Sequence, residues 1–143
     1  MKQQEQAVWQ RVMAAKENVQ ENSLKTHAMQ SMEAIREYTA LQRKNNGRLH
    51  QLASELYKQE QQVLQGLKGL QQLQTGTPMQ LPKLPGYSDP DRRCMVRRYH
   101  STRKAATEFM IRSAESEWGC VFLAMAKIQE NQCFLLAQVL GMM

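Results

Sequence analysis

All four prolines of this chain lie between Thr77 and Pro90, and on both sides of that stretch the residues follow helical patterns. Proline locks φ and lacks the amide that a helix interior or a central strand needs, and it biases the residue before it towards extended backbone. The chain therefore has one enforced extended segment, a linker over residues 74–90, between two halves that are free to be helical. At about 3.1 Å per residue in a polyproline-like path, about 15 residues of this linker can cover roughly 45 Å, more than the roughly 37 Å of a 25-residue helix. A connection of that reach can run the full length of a bundle.

The turn Asn45-Asn46-Gly47 divides the first half into helices over residues 23–44 and 48–72, with Ser23 as the cap of the first. The second half divides at a short loop near Glu115 to Trp118 into helices over 91–114 and 119–140. Short loops make antiparallel neighbours, so the chain reads as two hairpins, 23–72 and 91–140. A further amphipathic helix over 4–20 carries Val8, Trp9, Val12, Met13 and Val19 and is expected to pack across the bundle. Aromatics are only 6% of residues while 42% are hydrophobic, a composition that suits a helical bundle forming a single domain over 1–143. Two hairpins joined by a crossover as long as the bundle have ferritin-like topology, as distinct from an up-down-up-down bundle with short loops only. The expected fold class is all-α, a ferritin-like four-helix bundle plus an N-terminal helix.

Cys94, Cys120 and Cys133 are odd in number and widely spaced, with no Cys-x-x-Cys pair, so neither a disulfide framework nor a zinc ribbon is indicated. The first residues lack the apolar core of a signal peptide, and the apolar stretch from Val121 to Met143 is interrupted by Lys127, Glu130, Asn131 and Gln132. These features point to a cytoplasmic protein without a membrane span. The net charge of +6 is concentrated in one place. From Asp91 to Lys104 there are five arginines and one lysine against one aspartate, and Arg93, Arg97, His100 and Lys104 share a helix face that could meet phosphates of a nucleic acid or an acidic partner.

Two helices carry a glutamate where their apolar stripe calls for a hydrophobic residue. The first stripe reads Leu49, Leu52, Leu56, Glu60, Val63, Leu67, Leu70, and the second reads Phe122, Ala126, Glu130, Cys133, Ala137, Leu140. A buried carboxylate needs a partner, which can be a metal, a shared proton, hydroxyls from Ser31, Thr102 or Tyr38, or an arginine reaching in from the segment around Arg97 to Arg103. The hairpins also align. Ser31, Ala34, Glu37 and Tyr38 match Thr102, Ala105, Glu108 and Phe109 at an offset of 71, and Glu60 and Val63 match Glu130 and Cys133 at an offset of 70.

With these motifs, together with Val8-Trp9-Gln10-Arg11-Val12-Met13, Arg92-Arg93-Cys94 and Trp118-Gly119, nearly the whole chain resembles the rubrerythrin and ferritin-like families. The resemblance implies a bundle that binds two irons through a glutamate from the first helix of each hairpin and a Glu-x-x-His from the second. The matching positions here are Ser31 and Thr102 for the first-helix glutamates, and Glu60 to Val63 and Glu130 to Cys133 for the Glu-x-x-His elements. The first-helix carboxylates and both histidines are therefore missing. His27, His50 and His100 have no ligand spacing and read as surface or boundary residues. The leading expectation is a non-catalytic or altered ferritin-like bundle, a scaffold or binding module without a cofactor. One alternative is a divergent di-iron peroxidase or ferroxidase, or a single iron or zinc held by Glu60, Glu130 and Cys133. Another is nucleic-acid binding through 91–104. A homo-oligomer is also expected; Met29, Met32, Met110 and Met125 could supply adaptable apolar contacts to it, although their helical spacing reads first as core.

Overall fold

The computed structural model describes the backbone of residues 2–86 and 89–143, and the side chains of these residues except 2–6, 9–10 and 12–22. The described residues form four α-helices and no strand: α1 (Lys2–Lys44), α2 (Gly47–Thr75), α3 (Arg92–Glu115) and α4 (Gly119–Met142). The all-α class and the four long helical segments follow the sequence reading closely. The start of the chain does not. Instead of a separate helix over 4–20 and a cap at Ser23, the backbone is helical without a break from Lys2 to Lys44. Glu21, Asn22 and Ser23 include no glycine or proline, and each costs a helix interior only some tenths of a kcal/mol relative to alanine. The Ser23 hydroxyl accepts a hydrogen bond from the Arg112 guanidinium of α3 instead of capping a helix. The expected packing of Val8, Trp9, Val12, Met13 and Val19 across the bundle falls outside the described side chains, except that Val8 is exposed.

Local chemistry sets the other helix ends. Gly76 closes α2 in the left-handed conformation (φ 73°), its amide donating to the Gln72 carbonyl. The Asp91 side chain caps α3 by accepting from the Cys94 amide at 2.8 Å. Between α3 and α4 the chain turns so tightly that a Cβ at Gly119 would run into the Ser113 carbonyl oxygen.

Side-chain contacts give the helix directions. Ser23, His27 and Glu37 of α1 meet Arg112, Glu108 and Arg98 of α3, so residue numbers rise on one helix as they fall on the other. In the same way Leu56 and Glu60 of α2 meet Gln132 and Gln129 of α4. With α1 antiparallel to both α2 and α3, α2 finishes at one end of the bundle and α3 begins at the other. The proline-rich segment has to travel between them, and it does so along α1. Met79 and Leu81 pack against the apolar cluster to which Leu24 and Ala28 belong, the Pro85 carbonyl accepts from Arg36 at 2.9 Å, and Asp89 pairs with Lys44 at 2.6 Å.

The interior has two apolar clusters, one around Leu24, Leu67, Phe109 and Met125, the other around Leu41, Leu52, Met95 and Leu136. Between them lies a polar layer.

Candidate functional site: a buried polar layer

Glu60 is the centre of this layer. It is 4% exposed, and three donors surround its carboxylate. The Ser31 hydroxyl donates to Oε1 at 2.5 Å, the Gln129 amide donates to Oε2 at 3.2 Å, and the Gln132 amide lies beside it while reaching the Leu56 carbonyl at 3.5 Å. Burial pushes the Glu60 carboxyl above its ordinary range, while Ser31, Gln132, Gln129 and the nearby Arg98 charge pull the other way. Tyr38 is fully buried next to Thr102 and Glu60, and burial first, then the Glu60 charge, raise its phenol well above the ordinary range.

One turn away, Arg98 enters the core and forms a two-bond pair with Glu37, Nε to Oε2 at 2.6 Å and Nη2 to Oε1 at 3.2 Å. Both side chains are about nine-tenths buried, and Glu37 holds the guanidinium protonated against the cost of burial. Among the inward answers open to a buried carboxylate, the fold uses two: hydroxyl and amide donors for Glu60, and an arginine for Glu37.

A second acid–base pair spans the same two helices. His27 Nε2 lies 2.9 Å from Glu108 Oε2, and the imidazole packs on Phe109 with ring centroids 4.7 Å apart. His27 is thus a core residue, contrary to its reading as a surface or boundary position. Desolvation lowers its pKa, with Glu108 opposing and Arg112 assisting. The two pairs are related. His27 lies 71 residues before Arg98, and Glu37 lies 71 residues before Glu108, the offset that also relates Ser31 to Thr102 and Tyr38 to Phe109. Exchanging the hairpins turns one pair into the other, so the internal repeat seen in the sequence is also a repeat of contacts.

The repeat needs one correction, in α4. Glu130 is exposed and does not face Glu60, and Cys133 is half-buried between α4 and α3 on the outer side. The residues that point inward are Phe122, Met125, Ala126, Gln129, Gln132, Leu136 and Val139. The buried residues Ala53, Leu56, Glu60, Val63, Leu67 and Leu70 of α2 match all of these but Ala126 at an offset of 69, not 70. One residue on a helix is a rotation of about 100°, which moves a side chain from core to solvent. The partners of Glu60 and Val63 are therefore Gln129 and Gln132. The sequence carries this signal in the apolar matches Leu56/Met125, Leu67/Leu136 and Leu70/Val139, which compete with the match of Glu60 to Glu130.

The expected ligand set Glu60, Glu130 and Cys133 is not brought together, and among the described residues no group of three or more His, Cys, Asp or Glu side chains could share a metal ion. Ser31, Thr102 and Val63 all line the core. The cavity beside them, lined by Ser31, Glu60, Arg98, Thr102 and Gln129 among others, has a volume of about 10 Å³. That is about the space of one water molecule. Arg93, Arg97, His100 and Lys104 are all exposed and form one outward stripe on α3. No described helix is long and apolar enough to cross a membrane.

Fold and layer together define an all-α bundle of two antiparallel hairpins closed around a buried polar layer in which the carboxylates of Glu37 and Glu60 are hydrogen-bonded by groups of the protein. No protein-family model, no curated protein and no solved structure matches the chain.

Proposed function

We propose that this chain is a ferritin-like bundle whose two-metal centre has been replaced by protein hydrogen bonds, and that it acts as a non-catalytic binding module. The observation that carries this reading is the pairing of the buried carboxylates with groups of the protein itself, Glu60 with Ser31 and Gln129, Glu37 with Arg98. A ferritin-like two-iron centre needs about four carboxylates and two imidazoles. The layer offers Glu60 among amides and hydroxyls, a guanidinium that repels cations, and a cavity for one water. This donor set does not fit two irons. The long crossover, the antiparallel α1–α3 and α2–α4 pairs and the exchanged acid–base contacts support the family part of the proposal.

Elemental analysis of protein purified from iron-supplemented cells is expected to find far less than one metal per chain, and thermal melting is expected to be unmoved by ferrous iron or zinc. A site saturated a hundredfold over its Kd would add about 2.7 kcal/mol, a readily visible shift. Near-stoichiometric iron would overturn the proposal in favour of a divergent oxidoreductase.

The stripe Arg93, Arg97, His100 and Lys104 favours a second reading, a surface for phosphate-rich nucleic acid. Each phosphate contact contributes about −0.9 to the slope of log affinity against log salt on duplex DNA. Binding that ignores salt, or none at low salt, removes this reading.

A further inference from the structure

Along the outer side of α4 the exposed residues include Cys120, Leu123, Lys127, Glu130, Phe134, Ala137 and Gly141. Their spacing alternates three and four, the a/d pattern of a heptad seam, and it is sustained over about 32 Å at 1.5 Å per residue. This seam is separate from the buried face. Phe134 is 71% exposed, and it borders a groove of about 660 Å³ between α4 and α3 to which Met110 and Ile111 add exposed apolar surface. A helix that is apolar on its outer side as well as its inner one is built to be covered on both.

The order of residues in the seam indicates what covers it. When two copies of one helix pack antiparallel, each a position faces a d position of the other copy. With the two-fold axis between Ile128 and Gln129, Lys127 meets Glu130 of the second copy, Leu123 meets Phe134 and Cys120 meets Ala137, each contact occurring twice. The seam is thus its own complement in charge, size and polarity. Among the described residues neither Lys127 nor Glu130 forms an ion pair within the chain. A parallel arrangement would instead set Lys127 against Lys127 and Glu130 against Glu130.

We infer that the outer face of α4 is a self-association surface, on which a second copy of this chain docks antiparallel through the Cys120-to-Gly141 seam. This deepens the reading as a binding module by naming the partner, while its test does not depend on metal content. The charged layer sets direction and register, and the Leu123–Phe134 layers on either side supply the apolar contact.

Sedimentation equilibrium of the full chain is expected to give a dimer, twice the 16.5 kDa of one chain. Lys127→Glu places four carboxylates in the central layers, and Glu130→Lys places four ammonium groups there. Each is expected to weaken dimerisation tenfold or more, and the double exchange Lys127→Glu with Glu130→Lys to restore it. All three positions of the test lie on the surface, and unchanged far-ultraviolet circular dichroism verifies that the variants are folded. In Ala137→Cys, mild oxidation is expected to join the new thiol to Cys120 of the second copy, giving a covalent dimer on non-reducing gels. A wild-type chain that stays monomeric at hundreds of micromolar overturns the inference. So does a dimer indifferent to the single reversals, or one that the double exchange fails to restore.

Discussion

Arg98 shows how much a single buried charge can ask of its surroundings. Removing one member of a buried ion pair strands the other, at a cost of about 3–5 kcal/mol, whereas replacing both with apolar groups is often neutral or better. Arg98→Met is therefore expected to lower unfolding free energy by about that amount, and Arg98→Met combined with Glu37→Leu to recover most of it, as urea denaturation would measure. Glu60 behaves differently because no cation pairs with it. Its folded pKa is raised above 4.5, so the folded chain holds the proton more tightly than the unfolded one. The stability this gives is present below 4.5 and is lost as pH rises through the folded value. Glu60→Gln keeps the acceptor for Ser31 without the charge, and its stability relative to wild type is expected to be greater at pH 7 than at pH 4. His27 has the opposite sign. Its folded pKa lies below 6.5, so the unfolded chain takes up the proton first and stability falls as pH drops below 6.5. His27→Gln is expected to flatten the wild-type loss between pH 6.5 and 5, a change readable as the shift of urea midpoint with pH. Neither residue could be assigned these roles from sequence. Glu60 was visible as a break in an apolar stripe, whereas His27 had no neighbour in the chain to mark it as buried.

Among the helices, legibility followed the contrast between faces. In α2 the buried stripe Leu52, Leu56, Glu60, Val63, Leu67, Leu70 is the one read from the sequence, because glutamine and lysine occupy the other side. In α4, Leu123, Phe134 and Ala137 make the outer side apolar too, and Gln129 and Gln132 make the inner side polar. The stripe read from the sequence is buried at Phe122 and Ala126 and leaves the core from Glu130 onward. The α1 boundary was missed for a different reason: Ser23 is a good cap residue, but a cap is needed only where the preceding residues leave the helix. At the α3–α4 corner, Gly119→Ala is expected to destabilise the chain by about 1–3 kcal/mol, since the added methyl group meets the Ser113 carbonyl and forces the backbone to shift. Thermal melting would show it, and an unchanged midpoint would mean that the corner relaxes freely.

For the molecule as a whole, the prolines, the turn at Asn45 to Gly47 and the loop near Glu115 to Trp118 were enough to give the two hairpins and the need for a long crossover, while the separate N-terminal helix was one helix too many because α1 runs unbroken from Lys2 to Lys44. The topology has a mechanical consequence. From the level of Thr75 on α2 to the start of α3 the connection climbs about 25 residues of helix, roughly 37 Å. Deleting the eight residues from Thr77 to Leu84 leaves a segment that spans at most about 32 Å when fully stretched. Such a chain is expected to unravel the end of α2 or to exchange hairpins with a second molecule, detectable as lost helicity or as a new oligomer in size-exclusion chromatography with light scattering. Ligand chemistry was the least legible level. It depends on which side of α4 turns inward, and a rotation by one residue exchanges a carboxylate for an amide.

The exchanged contacts, His27 with Glu108 and Arg98 with Glu37, join the hairpins through two equivalent seats. Equivalent seats need not respond alike. A guanidinium keeps its charge throughout the range in which proteins stay folded, whereas an imidazole does not, so the same position in the two halves carries a permanent clasp in one and a titratable clasp in the other. Mild acid therefore bears unequally on the two seats, and a molecule built on a near two-fold plan is expected to open, when it opens, with a direction.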